Sequence, residues 1–173
     1  MPQIFPMADY AIHLGPLIET LPAWLQQRNY SRIFVICDQH TRQHCLPVLA
    51  VIRSPVKGDP TATLPAGETF KTLATCEQVW QAMLEAQLDR QALVINLGGG
   101  VIGDLGGFCA ATWKRGVDFI QIPTTLLSMT DAAIGGKLGV DFQDIKNTIG
   151  VFQNPAAVFV DPVFLQTLPE REL

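Results

Sequence analysis

Residues Ala92 to Trp113 read ALVINLGGGVIGDLGGFCAATW. Six largely apolar residues, Ala92 to Leu97, run into three glycines. Val101, Ile102, Gly103 and Asp104 then lead into small and apolar residues. A short β-branched run stopped by glycine marks a buried strand, and the segment behind it has helical spacing. The order is therefore strand, glycine turn, helix start. At such a junction bare backbone N–H groups at the positive end of a helix are open to a phosphate.

Gly98, Gly100 and Gly103 fit the dinucleotide pattern G-x-G-x-x-G. Glycine serves there because it takes positive φ and has no Cβ to hold a pyrophosphate away. Alone the pattern is weak, because a tight βα turn without any nucleotide uses the same residues. An ordinary dinucleotide unit also carries a ribose-binding acid about 20 residues on, at the end of the next strand. That strand, roughly Phe119 to Ile122, ends in Pro123-Thr124-Thr125, and Asp118 stands at its start. A bound dinucleotide must have its ribose held from elsewhere.

The chain has 173 residues, 48% hydrophobic and 16% charged, with a net charge of −4. That is enough for one α/β domain with a real core. The acidic balance argues against a general nucleic-acid surface. No apolar run reaches the roughly 20 residues of a membrane span. MPQIFPMADY lacks the basic and apolar regions of a signal peptide. Cys37, Cys45, Cys76 and Cys109 form no C-x-x-C pair, so reduced core thiols and a cytoplasmic location are expected. His40, His44 and Cys45 could hold a metal, but no fourth ligand is near, and a solvated helix face is the better reading.

Strands alternate with helices along the chain, which predicts a Rossmann-like, mostly parallel sheet with helices on both faces. Tyr10 to His13 reads as a short strand. Leu17 to Gln27 has one apolar face, and Pro22 suggests a helix beginning there. RIFVIC, Arg32 to Cys37, is a buried strand, with Asp38 at its carboxyl end. Ligands of open parallel sheets gather outside those ends, so Asp38 is a candidate ribose or adenine contact; capping a helix that starts near Thr41 is the equal alternative. Val48 to Ile52 reads as a strand and Ser54 to Pro65 as a Pro/Gly-rich connection. Phe70 to Leu88 is an amphipathic helix, with Leu73, Cys76, Val79, Trp80, Met83 and Leu84 on its apolar face. Glu68 and Lys71 precede it, either as a helix-start acid beside a solvated lysine or as the missing ribose acid and a companion.

Thr124 or Thr125 is expected to cap a helix with Leu126, Leu127 and Met129 on its apolar face. Asp131 follows, Gly135-Gly136-Lys137 breaks the helix, and a loop with Asp141 and Asp144 leads to Lys146-Asn147. Lysines beside glycines can converge with backbone on one anion, although solvated loop lysines look the same. Ala157 to Val160 is a last strand, and Asp161-Pro162 opens a short helix through Leu168.

GGGVIGDLGGF, RG-x-x-x-x-Q-x-PTTLLS, D-x-x-x-GGK, KN-x-IG and FLQTLPEREL occur in that order and spacing. Together they resemble the 3-dehydroquinate synthase family of sugar phosphate cyclases, strongly from Gly67 to Leu173 and weakly before. The resemblance implies a dehydroquinate synthase-like N-terminal domain within a two-domain, NAD-dependent lyase of the shikimate pathway to chorismate and the aromatic amino acids. Its substrate would be 3-deoxy-D-arabino-heptulosonate 7-phosphate, a sugar phosphate. Cofactor contacts carry over to Asp38, Gly67, Glu68, Lys71, Gly99, Gly100, Val101, Ile102, Gly103, Asp104, Thr124, Thr125, Asp131, Lys137, Lys146, Phe164, Leu165, Gln166 and Thr167. Glu68 would hold the ribose and Asp131 would sit by the nicotinamide. Lys137, Lys146 and Asn147 would meet the substrate's carboxylate or phosphate, and Arg115 its phosphate across a homodimer interface.

The chain departs from the family at Ala132 and Ala133, where serines are usual, at Asp141-Phe142 in place of Asn-His, at Ile145 in place of Gly, and at Ala66 in place of a frequent Asp. These changes fall on the substrate loop more than on the NAD site. The family's divalent metal, zinc or cobalt, is held by a glutamate and two histidines in a helical domain that begins after PEREL; His13, His40 and His44 match none of them. The expectation is a single NAD-binding domain over residues 1–173, without metal ligands of its own, that binds NAD weakly and does not turn over alone. A sister cyclase such as 2-deoxy-scyllo-inosose synthase, or a non-catalytic nucleotide-binding module, are the alternatives. Alcohol and glycerol dehydrogenases share the glycine loop but not the paired lysines.

Overall fold

The computed structural model of the chain describes residues 1–52 and 59–169. Two short strands, β1 (Gln3–Pro6) and β2 (Ala11–Leu14), precede helix α1 (Leu17–Gln26). Strand β3 (Ile33–Asp38) runs into helices α2 (Gln39–His44) and α3 (Leu46–Ile52). Strand β4 (Thr61–Leu64), helix α4 (Leu73–Glu85), strand β5 (Leu93–Gly98) and helix α5 (Gly100–Thr112) follow. Strand β6 (Asp118–Pro123), the hairpin β7 (Lys137–Phe142) and β8 (Ile145–Phe152), and strand β9 (Ala157–Val160) complete the labelled elements.

Seven strands form one sheet in the order β1-β2-β9-β6-β5-β3-β4. Every pairing in it is parallel except β1 with β2. Alternate residues of each strand serve opposite faces, as period-two geometry requires. Ile33, Val35, Leu93, Ile95 and Ile120 pack with Leu17, Leu21 and Leu49 from α1 and α3. Phe34, Ile36, Val94 and Phe119 pack with Val79, Met83, Leu105 and Phe108 from α4 and α5. The expected α/β sandwich, with helices on both faces, is what the chain forms.

Helix α5 is covered again on its outer side by the hairpin, where Leu138 and Val140 join the same core. Its glycines make this layering possible. A Cβ on Gly107 would fall 2.4 Å from Leu138 Cδ2, and one on Gly106 would fall 2.2 Å from Asn96 Oδ1 of β5. The sheet below and the hairpin above therefore both approach the helix backbone.

Several local expectations are corrected. Val48 to Ile52 is not a strand but most of α3; its apolar run has Leu49 in the core and Val51 exposed, a one-sided helical burial. Pro22 lies inside α1 rather than at its start, because Leu17 and Leu21 both reach the core. Thr61–Leu64 at the end of the supposed connection is an edge strand pairing with β3, while residues 53–58 of that connection lie outside the described residues. The loop of Asp141 and Asp144 is the β7–β8 hairpin; Gln143 and Asp144 turn it with φ of 49° and 64°. The segment after Thr125 closes as a π-turn, Ser128–Ala132, with Met129 buried but Leu126 and Leu127 exposed. The long amphipathic helix is shorter than read, beginning at the Thr72 cap, and its Leu84 is exposed.

Candidate dinucleotide and anion site

Strand β5 delivers the chain to Gly98 and Gly99, and α5 starts at Gly100. Gly99 offers α5 no side-chain cap. The other helix starts on this side of the sheet are closed: Asp38 accepts from Thr41 N at 2.8 Å on α2, and Thr72 accepts from Thr75 N at 3.3 Å on α4. The first N–H groups of a helix have no partner within it, so those of α5 remain for a ligand. They open on a cleft of about 680 Å³ lined by Asp38, Gly67, Gly99, Gly100, Thr124 and Thr125 among others.

The walls of that cleft come from three strand ends. Thr124 N donates to Gly98 O at 3.0 Å, which ties the end of β6 to the glycine turn. Thr125 and Ser128 then bond reciprocally and fix the next turn. Asp38 caps α2, the second of its two readings, and also forms part of the cleft wall. Thr167 closes the cleft, whereas Phe164 is 2% exposed and its side chain belongs to the core. His40, His44 and Cys45 also line it. Sequence reasoning weighed them only as metal ligands or solvated surface. Their position on the helix that Asp38 caps, outside a parallel strand's carboxyl end, was the available signal. Among the described residues no cluster of three or more His, Cys, Asp or Glu side chains could hold a metal. Burial pushes the Cys37 and Cys45 thiols up to about 11, and all four cysteines are free and buried.

A second cleft holds about 520 Å³. Asp104, Asp131, Lys137 and Asn147 line it, with Gly139 and Gly150 of the hairpin. A Cβ on Gly100, which lines the first cleft, would lie 3.4 Å from the Cβ of Ala132, which lines the second. Lys137 Nζ lies 3.5 Å from Asp131 Oδ1, and both are largely exposed. Lys146 Nζ lies 3.3 Å from Glu68 Oε1. The pair runs from beside the Gly67 wall to the hairpin, and neither residue lines either cleft. Exposed pairs of this kind contribute about 0–1 kcal/mol, so their value is in placing charge.

Lys71 differs from its reading as a solvated lysine. It is 3% exposed, and its ammonium donates to Asp104 Oδ2 and Asn147 Oδ1, both at 2.6 Å. Burial raises the Asp104 carboxyl above the usual range, and Lys71 opposes that shift without overcoming it.

Arg115 is not brought to either cleft. It lines a hollow with Asp89, Arg90, Gln91 and Lys114 beyond the carboxyl end of α5, and a 13-residue helix is about 20 Å long. Lys114 and Arg115 have φ of 49° and 71°, sparsely populated values that persist where surrounding structure enforces them. Asp118, too, is away from the clefts and accepts from the Tyr30 hydroxyl at 2.9 Å.

Residues 61–173 match the family described as 3-dehydroquinate synthase N-terminal. The chain belongs to that family. A 3-dehydroquinate synthase of Halorhodospira halophila is 57% identical over 164 residues, 95% of this chain and 46% of the relative. One from Sulfurovum is 51% identical over 129 residues, 75% of this chain and 36% of the relative. The chain thus spans about half the length, or less, of these curated relatives. Among solved structures, the 2-epi-5-epi-valiolone synthase of Streptomyces hygroscopicus subsp. jinggangensis, with NAD+ and Zn2+ bound, superposes with a TM-score of 0.84 at 31% identity, over 98% of this chain and 48% of that one. A 2-deoxy-scyllo-inosose synthase complexed with carbaglucose-6-phosphate, NAD+ and Co2+ superposes at 0.85 with 24% identity, over 99% and 48%, a likeness of fold. The family's N-terminal domain is therefore the frame that carries both clefts. No helix among the described residues is long and apolar enough to cross a membrane.

Proposed function

We propose that this chain is the NAD-binding half of a 3-dehydroquinate synthase, which converts 3-deoxy-D-arabino-heptulosonate 7-phosphate to 3-dehydroquinate and phosphate. The observation that carries this reading is the uncapped start of α5, opening on the 680 Å³ cleft. Backbone without Cβ at Gly99 and Gly100 lets a diphosphate approach the free N–H groups. Asp38 and Glu68 are the acids for the ribose hydroxyls. Thr124 and Thr125 supply hydroxyls along the opposite wall. When bound, NAD supplies a transient hydride acceptor. Asp131 and Lys137 orient the nicotinamide side toward the second cleft, where Asn147, with Lys146 next to it on the hairpin, receives the substrate's anionic groups.

Arg115, at the other end of α5, serves the phosphate of a second copy in a homodimer. The divalent metal, zinc or cobalt, is held by residues outside this chain. Identity of 51–57% to synthases, against 31% to the valiolone synthase, favours this reading over a sister cyclase.

Calorimetric titration with NAD and a phosphate-release assay test it. Saturable NAD binding is expected, with no phosphate released by these 173 residues alone. Absence of NAD binding at millimolar concentration refutes the dinucleotide cleft. Phosphate release by the chain alone refutes the division of labour between two halves.

A further inference from the structure

Lys71 is the one buried lysine among the described residues, and it lines neither cleft. Its neighbour Phe70 is 41% exposed, so the local chain does not hide it by default. Three segments hold it in place. Asp141 N of β7 donates to Lys71 O at 2.8 Å. Thr72 bridges to Asp141 in parallel register. Asp141 Oδ1 in turn accepts from Asn147 N at 2.8 Å, where the hairpin takes a φ of 52°. The ammonium therefore meets α5 through Asp104 and the hairpin through Asn147 at one point.

An ammonium only donates hydrogen bonds, and a side-chain amide has one acceptor and one donor end. With Oδ1 of Asn147 consumed by Lys71, the amide's orientation is fixed. Its Nδ2, which meets no protein acceptor among the described residues, remains as a donor in the second cleft. The second oxygen of Asp104 is likewise left as an acceptor at the cleft's edge.

We infer that Lys71 is a positioning residue: it locks Asn147 so that the second cleft presents an amide donor beside Lys137, with Asp104 as the matching acceptor. The chemical class this set selects is a hydroxylated compound bearing a phosphate or carboxylate. Donor and cation take the anion, and the carboxylates of Asp104 and Asp131 take hydroxyls. This deepens the proposed function and rests on it.

The test uses the 15N-labelled chain with inorganic phosphate as probe. The Asn147 side-chain NH2 resonance should shift saturably on titration. Lys71→Met combined with Asp104→Asn removes the ammonium and its counter-charge together, so no buried charge is stranded. That variant should bind phosphate at least about tenfold more weakly, with its Asn147 signal moved to the position of a free amide. Asn147→Asp keeps an acceptor for Lys71 but deletes the donor, and it should lose affinity to a similar degree. A wild-type Asn147 signal indifferent to phosphate overturns the inference. So does either variant binding phosphate within twofold of the parent. NAD titration of the unmodified chain decides the dinucleotide reading separately.

Discussion

Gly106→Ala is the sharpest probe of how α5 is seated. In an exposed helix interior this change gains about 1 kcal/mol of helix propensity. Here the new Cβ would lie 2.2 Å from Asn96 Oδ1 and 2.8 Å from Cγ. Turning the amide over does not relieve the contact at Cγ, so α5 or β5 must move. Overpacking of this kind costs about 1–3 kcal/mol, for a net loss of about 0–2 kcal/mol, or a fall of up to roughly 8 °C in Tm for a domain of this size. Asn96 is 1% exposed, and neither of its amide atoms finds a hydrogen-bond partner among the described residues. Truncating it to Ala therefore exchanges an unsatisfied amide for a small cavity. In that background Gly106→Ala has room and should stabilise by about 1 kcal/mol. The cycle thus predicts a coupling of about 1–3 kcal/mol, read by urea unfolding of the four proteins with unchanged m-values. NAD affinity should drop in Gly106→Ala and return in the double variant, since the glycine turn rides on the same helix. A single variant that keeps the full gain of about 1 kcal/mol, or a coupling near zero, refutes the close-approach account.

The remaining predictions concern strand ends. His13 stacks on Phe159 at 4.7 Å, and burial first, then Arg28, hold its pKa below the ordinary value near 6.5. A depressed folded pKa means the stabilising contribution is whole above about pH 6.5 and lost as pH falls through the folded value; His13→Phe should flatten that part of a stability–pH profile measured by urea unfolding. Asp38→Ala removes the α2 capping box and should cost about 1 kcal/mol, whereas Asp38→Asn keeps most of the cap. A loss of NAD affinity in Asp38→Asn therefore reports a ligand contact and not a frayed helix, by calorimetry beside thermal melts.

What the sequence disclosed follows from how local each feature is. β5, the glycine turn and α5 were legible because a β-branched run, three glycines and a small-residue segment are contiguous. α3 was misread because five apolar residues between a surface helix and a Pro/Gly-rich stretch have no period long enough to tell strand from helix. The β7–β8 hairpin was missed because its turn, Gln143-Asp144, carries no glycine and its strands are polar on one face. Lys71 could not be recognised as buried at all. Its two partners are 33 and 76 residues away, and nothing within its own helix start announces them.

The same geometry explains why residues of motifs scattered along the chain line one cleft. In a parallel sheet all carboxyl ends lie on one edge, so the residues after β3, β5 and β6 must converge whatever their separation in sequence. Asp38, Gly99 and Thr124 each follow one of those ends and line one cleft. Arg115 obeys the opposite rule. It follows the carboxyl end of a crossover helix, and a right-handed crossover returns the chain to the amino end of the next strand. No rotamer of Arg115 spans a 13-residue helix, so a strained backbone at Lys114 and Arg115 is of no use to the clefts of its own chain. If Arg115 serves the phosphate of a second copy, as proposed, dilution that separates the copies should abolish Arg115-dependent phosphate affinity while sparing NAD binding.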